Sequence, residues 1–370
     1  MASSPAVSGV ERLPLNQLCG NLIVGGFDGE TLPDAMRAAL QRNERGGVIL
    51  FRRNIPNVET ALLLNREILS LCHPERSRGA APPFIAVDEE GGRVQRLPAP
   101  ALKLPPMQKI GHDLTLVERV AQAVGTELKA LGFNLNFAPV LDVDSNPQNP
   151  IIGDRAFAKD PQGVIDGARA YLRGLAATGV LSCIKHFPGH GDTTQDSHLT
   201  LPTVSHPRER LDQIELAPFK ALAPQAPTAM TAHVIFEGLD PGIPATRSPK
   251  ICTDLLRTQL KFEGVLFSDD LEMKALSAHA SVEDNAIACI AAGCDSLLIC
   301  EHYDLQEQAL AALIKECERS AAFTERCREA YQRNMAIRAR IKPEPVTLDE
   351  LPGVWRDAGL AGVRQELALA

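Results

Sequence analysis

A fifteen-residue stretch, residues 184–198 (IKHFPGHGDTTQDSH), concentrates side chains that could do chemistry. It holds one lysine, three histidines, two aspartates, two glycines and a proline. A turn needs mainly glycine, proline and small polar residues, so the ionisable groups call for another explanation. The apolar residues 181–184 lead into the stretch and predict a short buried strand that ends in this loop. Because loops on a rigid scaffold often carry catalytic groups, we interpret the stretch as part of an active site.

Metal binding is the first chemistry that these residues could support. The side chains of metal-ligand type are His186, His190, Asp192, Asp196 and His198. Histidine and carboxylate groups are common ligands of zinc and other divalent ions. Their spacing, however, matches no zinc signature, and Lys185 beside them would repel a cation. We therefore expect no metal in this loop.

Glycoside hydrolysis is the second possibility, and it requires an acid/base group together with a carboxylate nucleophile if configuration is retained. Asp269, at the end of a later predicted strand, is the candidate nucleophile. His198 is the candidate acid/base, with Asp196 two residues earlier to orient it. An unperturbed histidine titrates near pH 6.5 and can donate and then accept a proton. In the third, structural possibility, residues 188–191 form a turn and the histidines only satisfy backbone groups.

Eight short apolar segments alternate with helical ones along the chain. The predicted strands are residues 20–25, 47–51, 83–88, 134–139, 181–184, 228–234, 264–270 and 296–300. The predicted helices are residues 32–42 (with Thr31 as N-cap), 57–71, 114–131, 161–177, 208–222, 249–260, 282–292, 304–319 and 323–340. Such alternation favours a parallel sheet covered by helices. Eight units predict a single-domain α/β fold of the (β/α)8 TIM-barrel type.

A doubly wound open sheet is the competing fold, but no glycine-rich dinucleotide-binding turn follows an early strand. In a (β/α)8 barrel the active site lies at the C-terminal ends of the strands. The polar residues at the predicted strand ends are Asp88, Lys185, His186, His233, Asp269 and Asp270. Their recurrence at several strand ends predicts one shared site.

Composition excludes several classes of function. The net charge of −8 argues against a surface for nucleic acid or anionic membranes. Nine scattered cysteines without a CxxC pair favour free thiols in a reducing compartment. Neither a signal peptide nor an apolar run of membrane-spanning length is found, so we expect a cytoplasmic protein. We divide the chain into a disordered tail (residues 1–14), one catalytic domain (15–342) and a C-terminal tail (343–370).

Four motifs together resemble glycoside hydrolase family 3, and in particular its bacterial β-N-acetylglucosaminidases. They are KHFPGHGD with the following DSH (residues 185–198), AVDEEGGRVQR (86–96), IGDRAF (152–157) and FSDDLEM (267–273). The resemblance extends from about residue 18 to residue 340. In one departure, Glu89 stands where the short members of the family often have glutamine.

The resemblance implies roles for individual residues. It makes Asp269 the nucleophile, His198 the acid/base on a mobile loop and Asp196 its partner. It assigns binding of the terminal N-acetylglucosamine to Asp88, Arg96, Arg155, Lys185 and His186. It implies no cofactor and no metal. For His190 and Asp192 we expect a role in shaping the loop, and for Arg93 and Asp270 either a solvated charge or a supporting role.

The activity implied is removal of terminal β-linked N-acetylglucosamine with retention, through a covalent glycosyl-aspartyl intermediate, from muropeptides of cell-wall recycling. The expected partner is a small sugar substrate, and the expected state is a monomer. The enzymatic alternatives are a β-glycosidase of another sugar specificity and a phosphorylase that uses phosphate in place of water. The non-enzymatic alternative is an inactive sugar-binding protein.

Overall fold

The structure, a computed structural model, describes residues 13–71, 81–195, 197 and 200–369. Most of the predicted disordered tail, residues 1–12, lies outside the described residues. So do residues 72–80, which include Pro74, Arg76 and Arg78.

Eight parallel strands close into a barrel in the order of the chain. They are β1 (Ile23–Gly25), β2 (Gly47–Leu50), β3 (Phe84–Val87), β4 (Leu135–Asn136), β5 (Leu181–Phe187), β6 (Thr228–Thr231), β7 (Val265–Asp270) and β8 (Ser296–Ile299). Each predicted strand segment overlaps one of them, β5 extends three residues beyond its predicted end, and β8 pairs with β1 to complete the ring. The prediction of a (β/α)8 barrel is confirmed.

Helices surround the barrel. They are α1 (Leu15–Gly20), α2 (Asp34–Gln41), α3 (Val58–Leu71), α4 (Met107–Ile110), α5 (Leu114–Ala130), α6 (Pro161–Ala176), α7 (Arg208–Gln213), α8 (Ala217–Leu222), α9 (Lys274–Ser277), α10 (Val282–Ala292), α11 (Tyr303–Arg319), α12 (Ala321–Arg338), α13 (Leu351–Val354) and α14 (Ala358–Leu369). A π-helix, Lys250–Gln259, covers the connection between β6 and β7. None of the helices in the described ranges has the length and apolar character that a bilayer crossing requires.

Two details of the helices differ from the prediction. Residues 208–222 form two helices, α7 and α8, because Pro218 occupies the first turn of α8 and cannot continue a preceding helix. Thr31 is not the N-cap of α2: the helix begins at Asp34 after Pro33, and no side chain caps it.

The strands are apolar on both faces because each face is buried. Inside the barrel, the ring of Phe267 packs edge-on against Phe84 and Phe137, with centroids 5.4 and 5.3 Å apart. Between the barrel and the helices a larger apolar cluster is continuous around the molecule. The barrel interior is therefore filled, and open space remains at its C-terminal mouth.

The segment expected to be a C-terminal tail packs against α5. Leu351, Leu360 and Val363 are buried in the main apolar cluster. The backbone N–H of Val346 donates to the carbonyl of Ala130 at 3.0 Å. Residues 343–369 thus extend the packed helical layer on this side of the barrel.

Buried charges fix the N-terminal end of β8. Asp295 is fully buried and pairs with the guanidinium groups of Arg257, Arg326 and Arg333. One of its oxygens also accepts the backbone N–H of Leu266 in β7 at 3.0 Å. Burial alone would raise the pKa of Asp295, but the three arginines hold it below its ordinary value. Asp295 thereby joins β7, β8 and α12.

We expect Asp295→Ala to lower the free energy of unfolding by about 3–5 kcal/mol, because three guanidinium groups lose the buried carboxylate that balances their charge. Glu325→Ala is the control, since Glu325 forms an exposed pair with Arg328 and should change stability by less than about 0.5 kcal/mol. Urea unfolding followed by circular dichroism measures both. Equal losses for the two variants would contradict this account.

Candidate active site

A cavity of about 270 Å³ opens at the C-terminal mouth of the barrel. Its polar lining consists of Asp88, Glu90, Arg96, Arg155, Lys185, His186, His190, Ser197, Asp269 and Asp270. Its apolar lining consists of Ile49, Phe51, Val94, Phe137, Ile151, Met230, Met273, Leu298 and Cys300. The charged groups come from the ends of several strands and the loops after them, as the barrel predicts.

Asp269 lies at the end of β7 with its carboxylate in the cavity. One carboxylate oxygen accepts the backbone N–H of Asp270 at 2.9 Å. Burial alone would raise the pKa of Asp269, but the nearby charges of His233 and His186 hold it below its ordinary value. An ionised carboxylate at this position can attack an electrophilic carbon or stabilise positive charge on it.

His233 contacts the end of β7 through a hydrogen bond to the backbone. Its Nε2 donates to the carbonyl oxygen of Asp270 at 2.9 Å, and its Nδ1 contacts the hydroxyl of Thr246 at 2.7 Å. The ring is fully buried. The sequence placed His233 at a strand end without a role, and these contacts indicate that it positions the backbone around Asp269.

Four charged side chains form a continuous row along the cavity. The ammonium of Lys185 donates to Asp88 at 2.8 Å and lies 2.6 Å from Glu90. Arg155 makes a two-pronged contact with Glu90, Nε to Oε2 at 2.8 Å and an Nη to Oε1 at 2.9 Å. Arg96 approaches Asp88 at 3.8 Å. We refer to Asp88, Lys185, Glu90 and Arg155 as the charge row.

Glu90, Lys185 and Arg155 in the charge row are held in their charged forms. Burial opposes ionisation, yet Arg155 and Lys185 keep the pKa of Glu90 far below its ordinary value. Asp88 and Glu90 likewise raise the pKa of Lys185, although only 2% of that side chain is exposed. Fixed, charged donors and acceptors suit the binding of sugar hydroxyl groups.

Glu89 and Glu90 are neighbours with different functions. Glu89 lies away from the cavity and accepts the backbone N–H groups of Arg96 and Leu97 at 2.8 and 3.0 Å. Burial raises its pKa to about 7. It holds the segment that carries Arg96, whereas Glu90 belongs to the charge row. Glutamine could accept the same N–H groups, which explains why Glu89 can replace a glutamine.

Asp142 organises the loop after β5. Its carboxylate accepts hydrogen bonds from Nδ1–H of His186 at 2.7 Å and from the backbone N–H of His190 at 2.6 Å. Burial would raise its pKa, but His186 and His190 keep it below the ordinary value. With its Nδ1 proton directed at Asp142, His186 presents its other ring nitrogen toward the cavity.

His190 is neutral and fixed between two hydroxyl groups. Burial lowers its pKa to about 4. Its Nδ1 contacts the hydroxyl of Thr193 at 2.9 Å, and its Nε2 contacts that of Ser197 at 3.0 Å. These contacts support a loop-shaping role for His190. The predicted acid/base pair, Asp196 and His198, lies outside the described residues.

Asp270 follows Asp269 but faces a different set of partners. Its carboxylate accepts the backbone N–H groups of Glu272 and Cys300, at 3.1 and 3.2 Å. Burial raises its pKa to about 7. Asp270 thus joins the ends of β7 and β8 beside the cavity, which agrees with the supporting role expected from the sequence.

Residues 16–333 match the model of the glycosyl hydrolase family 3 N-terminal domain. The chain belongs to glycosyl hydrolase family 3. A β-hexosaminidase of Chromobacterium violaceum from this family is 40% identical over 299 residues, which cover 78% of this chain and 80% of that one. A β-hexosaminidase of Pseudomonas aeruginosa is 39% identical over 281 residues, 75% of this chain and 81% of that one.

Solved structures of family 3 enzymes agree. A β-N-acetylglucosaminidase of Paenibacillus sp. superposes with a TM-score of 0.83 at 36% identity, covering 93% of this chain and 68% of that one. NagZ of Neisseria gonorrhoeae in complex with N-trifluoroacetyl-D-glucosamine superposes with a TM-score of 0.75 at 30% identity, covering 93% and 96%. The family 3 chain described here is a glycosidase of the β-N-acetylhexosaminidase class, and it acts on a sugar-type small molecule.

The structure brings together six of the eight residues predicted for the family 3 site. Asp88, Arg96, Arg155, Lys185, His186 and Asp269 all line the cavity. Sequence reasoning missed Glu90 and Asp142. The motif DEEGG contains two adjacent glutamates, and only the course of the backbone after β3 decides which one faces the cavity. Asp142 could have been suspected as a carboxylate near the end of a predicted strand.

We expect Glu90→Gln to reduce kcat/KM by about 100-fold, because Lys185 and Arg155 lose the carboxylate that holds them and sugar-binding groups shift. Glu89→Gln is the matched control, since an amide oxygen can still accept the N–H groups of Arg96 and Leu97, and its activity should stay within about twofold of the parent. Steady-state kinetics on an aryl β-N-acetylglucosaminide measures both. A larger effect at Glu89 than at Glu90 would reverse our assignment of the two carboxylates.

Proposed function

We propose that this enzyme is a retaining exo-β-N-acetylglucosaminidase that removes the non-reducing terminal N-acetylglucosamine from muropeptides. The observation that carries the proposal is the position of Asp269. Its ionised carboxylate lies in the same small cavity as the charge row, so a sugar held by that row would present its anomeric carbon close to a nucleophile.

The dimensions of the cavity support cleavage of one terminal sugar at a time. At about 270 Å³ it lies below the usual range for sites that hold drug-sized ligands. Phe137 and Met230 line it on the apolar side, and the buried charge row lines it on the other. A single pyranose fits such a cavity, and the rest of the substrate would extend outward through the mouth.

The charge row supports recognition of a polar ring in a definite orientation. Lys185 can donate to one hydroxyl while Asp88 accepts from the neighbouring one. Arg155, fixed by its two contacts to Glu90, offers its remaining N–H groups to the same ring. His186 adds a donor or acceptor whose orientation Asp142 fixes.

The proposed reaction has two steps. First, Asp269 attacks the anomeric carbon while His198 donates a proton to the glycosidic oxygen, so that the C–O bond breaks and a glycosyl-aspartyl ester forms. Then His198 removes a proton from water, the resulting hydroxide attacks the same carbon, and the ester bond to Asp269 breaks. Asp196 would orient His198 and stabilise its charged form. Two inversions at the anomeric carbon give net retention.

The choice of muropeptide as substrate rests on likeness. The four sequence motifs resemble those of the short bacterial enzymes of peptidoglycan recycling. The superposition on a structural relative, NagZ of Neisseria gonorrhoeae, covers 96% of that protein's chain. We propose N-acetylglucosaminyl-1,6-anhydro-N-acetylmuramyl peptides as substrates, in the cytoplasm, with the enzyme acting as a monomer. A phosphorylase reaction is the alternative, since phosphate could replace water in the second step.

The proposal is tested by comparing aryl β-N-acetylglucosaminide with aryl β-glucoside, each with and without phosphate, and identifying the sugar product. We expect free N-acetylglucosamine of β configuration in both buffers, and a rate on the glucoside at least about 100-fold lower. Asp269→Ala should lose about 1,000-fold or more in turnover while its circular dichroism stays unchanged.

Formation of N-acetylglucosamine 1-phosphate in phosphate buffer would favour the phosphorylase. Equal rates on the two aryl glycosides would contradict the proposed specificity. A slow fluorinated substrate should label the peptide that contains Asp269, and a label on Asp270 would mean that we have chosen the wrong carboxylate.

His198→Ala should lose much more activity on a muropeptide than on a nitrophenyl substrate, by about 100-fold or more. A nitrophenolate leaves without help from an acid, so only the second step still needs His198. The covalent intermediate should then accumulate and release nitrophenol in an early burst. Stopped-flow absorbance measures the burst, and Asp196→Ala should give a milder version of it. Equal slowing of both substrates without a burst would place the acid/base elsewhere.

A further inference from the structure

Three cysteine side chains meet on the outer side of the barrel, among α1, α11 and α12. Cys19 and Cys327 are fully buried, and Cys317 is 6% exposed. The sulfur of Cys317 lies 3.7 Å from that of Cys19 and 3.7 Å from that of Cys327. All three sulfur atoms lie within 4.8 Å of one another. We call these residues the thiol triad.

The spacing of the thiol triad fits ligation of one ion. With metal–sulfur bonds of about 2.3 Å, two sulfurs lie about 3.8 Å apart at a tetrahedral angle and about 4.0 Å apart at a trigonal one. Two touching thiols are ordinary in a protein core. Three thiols that converge on one another from three separate helices have a common centre at which a single ion would contact all of them.

A positive charge close to the triad would stabilise thiolate ligands. Arg328 follows Cys327 directly in α12. Its Nη1 pairs with the exposed Glu325, and its buried Nε has no hydrogen-bond partner within the described ranges. Three thiolates around a divalent ion carry a net charge of −1, which Arg328 would offset.

We propose that the thiol triad binds one soft cation of the zinc(II) or copper(I) class, through three sulfur ligands. Thiolate ligands select these ions over magnesium or calcium. On binding, the three cysteine thiols each lose a proton to solvent, and the ion gains three sulfur bonds. A fourth position remains for water or a small thiol.

The triad and the cavity lie at opposite ends of the barrel. Cys19 precedes β1 by four residues, so it lies at the N-terminal side of the barrel, whereas the active site opens at the C-terminal side. Bound metal would join α1 to α11 and α12, close to where the ring of strands closes between β1 and β8. The expected effect is on stability and not on turnover.

The test titrates the full-length protein, reduced with a phosphine, with cobalt(II) as a probe and then with zinc(II) and copper(I) as competitors. We expect one ion per chain, a sulfur-to-cobalt charge-transfer band, and release of about three protons per ion. Cys19→Ala and Cys327→Ala should each weaken binding by more than about 100-fold, since even groups outside a ligand set cost about 10- to 100-fold when removed. Cys289→Ala, which removes a buried thiol elsewhere, should bind as the parent does.

Zinc should also raise the Tm of the parent protein and of Cys289→Ala, but not that of Cys327→Ala, while kcat on an aryl glycoside stays the same. X-ray absorption of the zinc-loaded parent should show three sulfur atoms at about 2.3 Å, which requires no variant to fold. A shell of only nitrogen and oxygen, or equal binding by Cys327→Ala and the parent, would overturn the proposal. Metal binding, the Tm shift and the X-ray absorption shell do not depend on hydrolysis, so the proposed glycosidase function can fail or succeed separately.

Discussion

The active site depends on a buried ammonium group between two carboxylates. Lys185 is almost completely withdrawn from water, and Asp88 and Glu90 on either side compensate for the lost hydration. Removing one partner of a buried ion pair costs far more stability than removing one partner of an exposed pair, because the remaining charge stays buried. The arrangement also requires the ends of β3 and β5 to lie at one fixed separation. The sugar-binding surface is therefore as rigid as the barrel that carries it.

The need of a buried charge for a partner of opposite charge also explains why the acidic residues differ in charge state. Asp269, Glu90 and Asp142 each face a cation or histidine and are held in the charged form. Glu89 and Asp270 face mainly backbone N–H groups, and burial raises the pKa of each to about 7. Glu89 and Glu90, and likewise Asp269 and Asp270, are adjacent in the chain. The two carboxylates of each pair differ in pKa because their partners differ. Of the first group, Asp269 and Glu90 also line the cavity and are suited to attack or bind a substrate.

Much of the fold and of the site could be predicted from the sequence, for physical reasons. The strands of a barrel are buried on both faces, so they read as short continuous apolar runs, and all eight were located. Residues at their ends meet at one mouth, which made Asp88, Lys185 and Asp269 recognisable. The choice between Glu89 and Glu90 could not be made, since it depends on backbone direction after β3. The sequence assigned residues 343–370 to a tail and could not settle whether parts of it form short helices, because the stability of these helices comes from contacts with α5 and not from local periodicity.

The aromatic packing within the barrel has a consequence for the evolution of the enzyme. Side chains alternate along a strand, so Phe267 and Asp269 extend from the same face of β7. Phe267 anchors the interior through Phe84 and Phe137, two residues from the proposed nucleophile. A substitution that repacks this layer moves the strand that carries Asp269. Natural variation in this interior should therefore be narrow, and adaptation to new sugars or temperatures should proceed through the loops around the mouth, where a change in shape leaves the position of Asp269 intact.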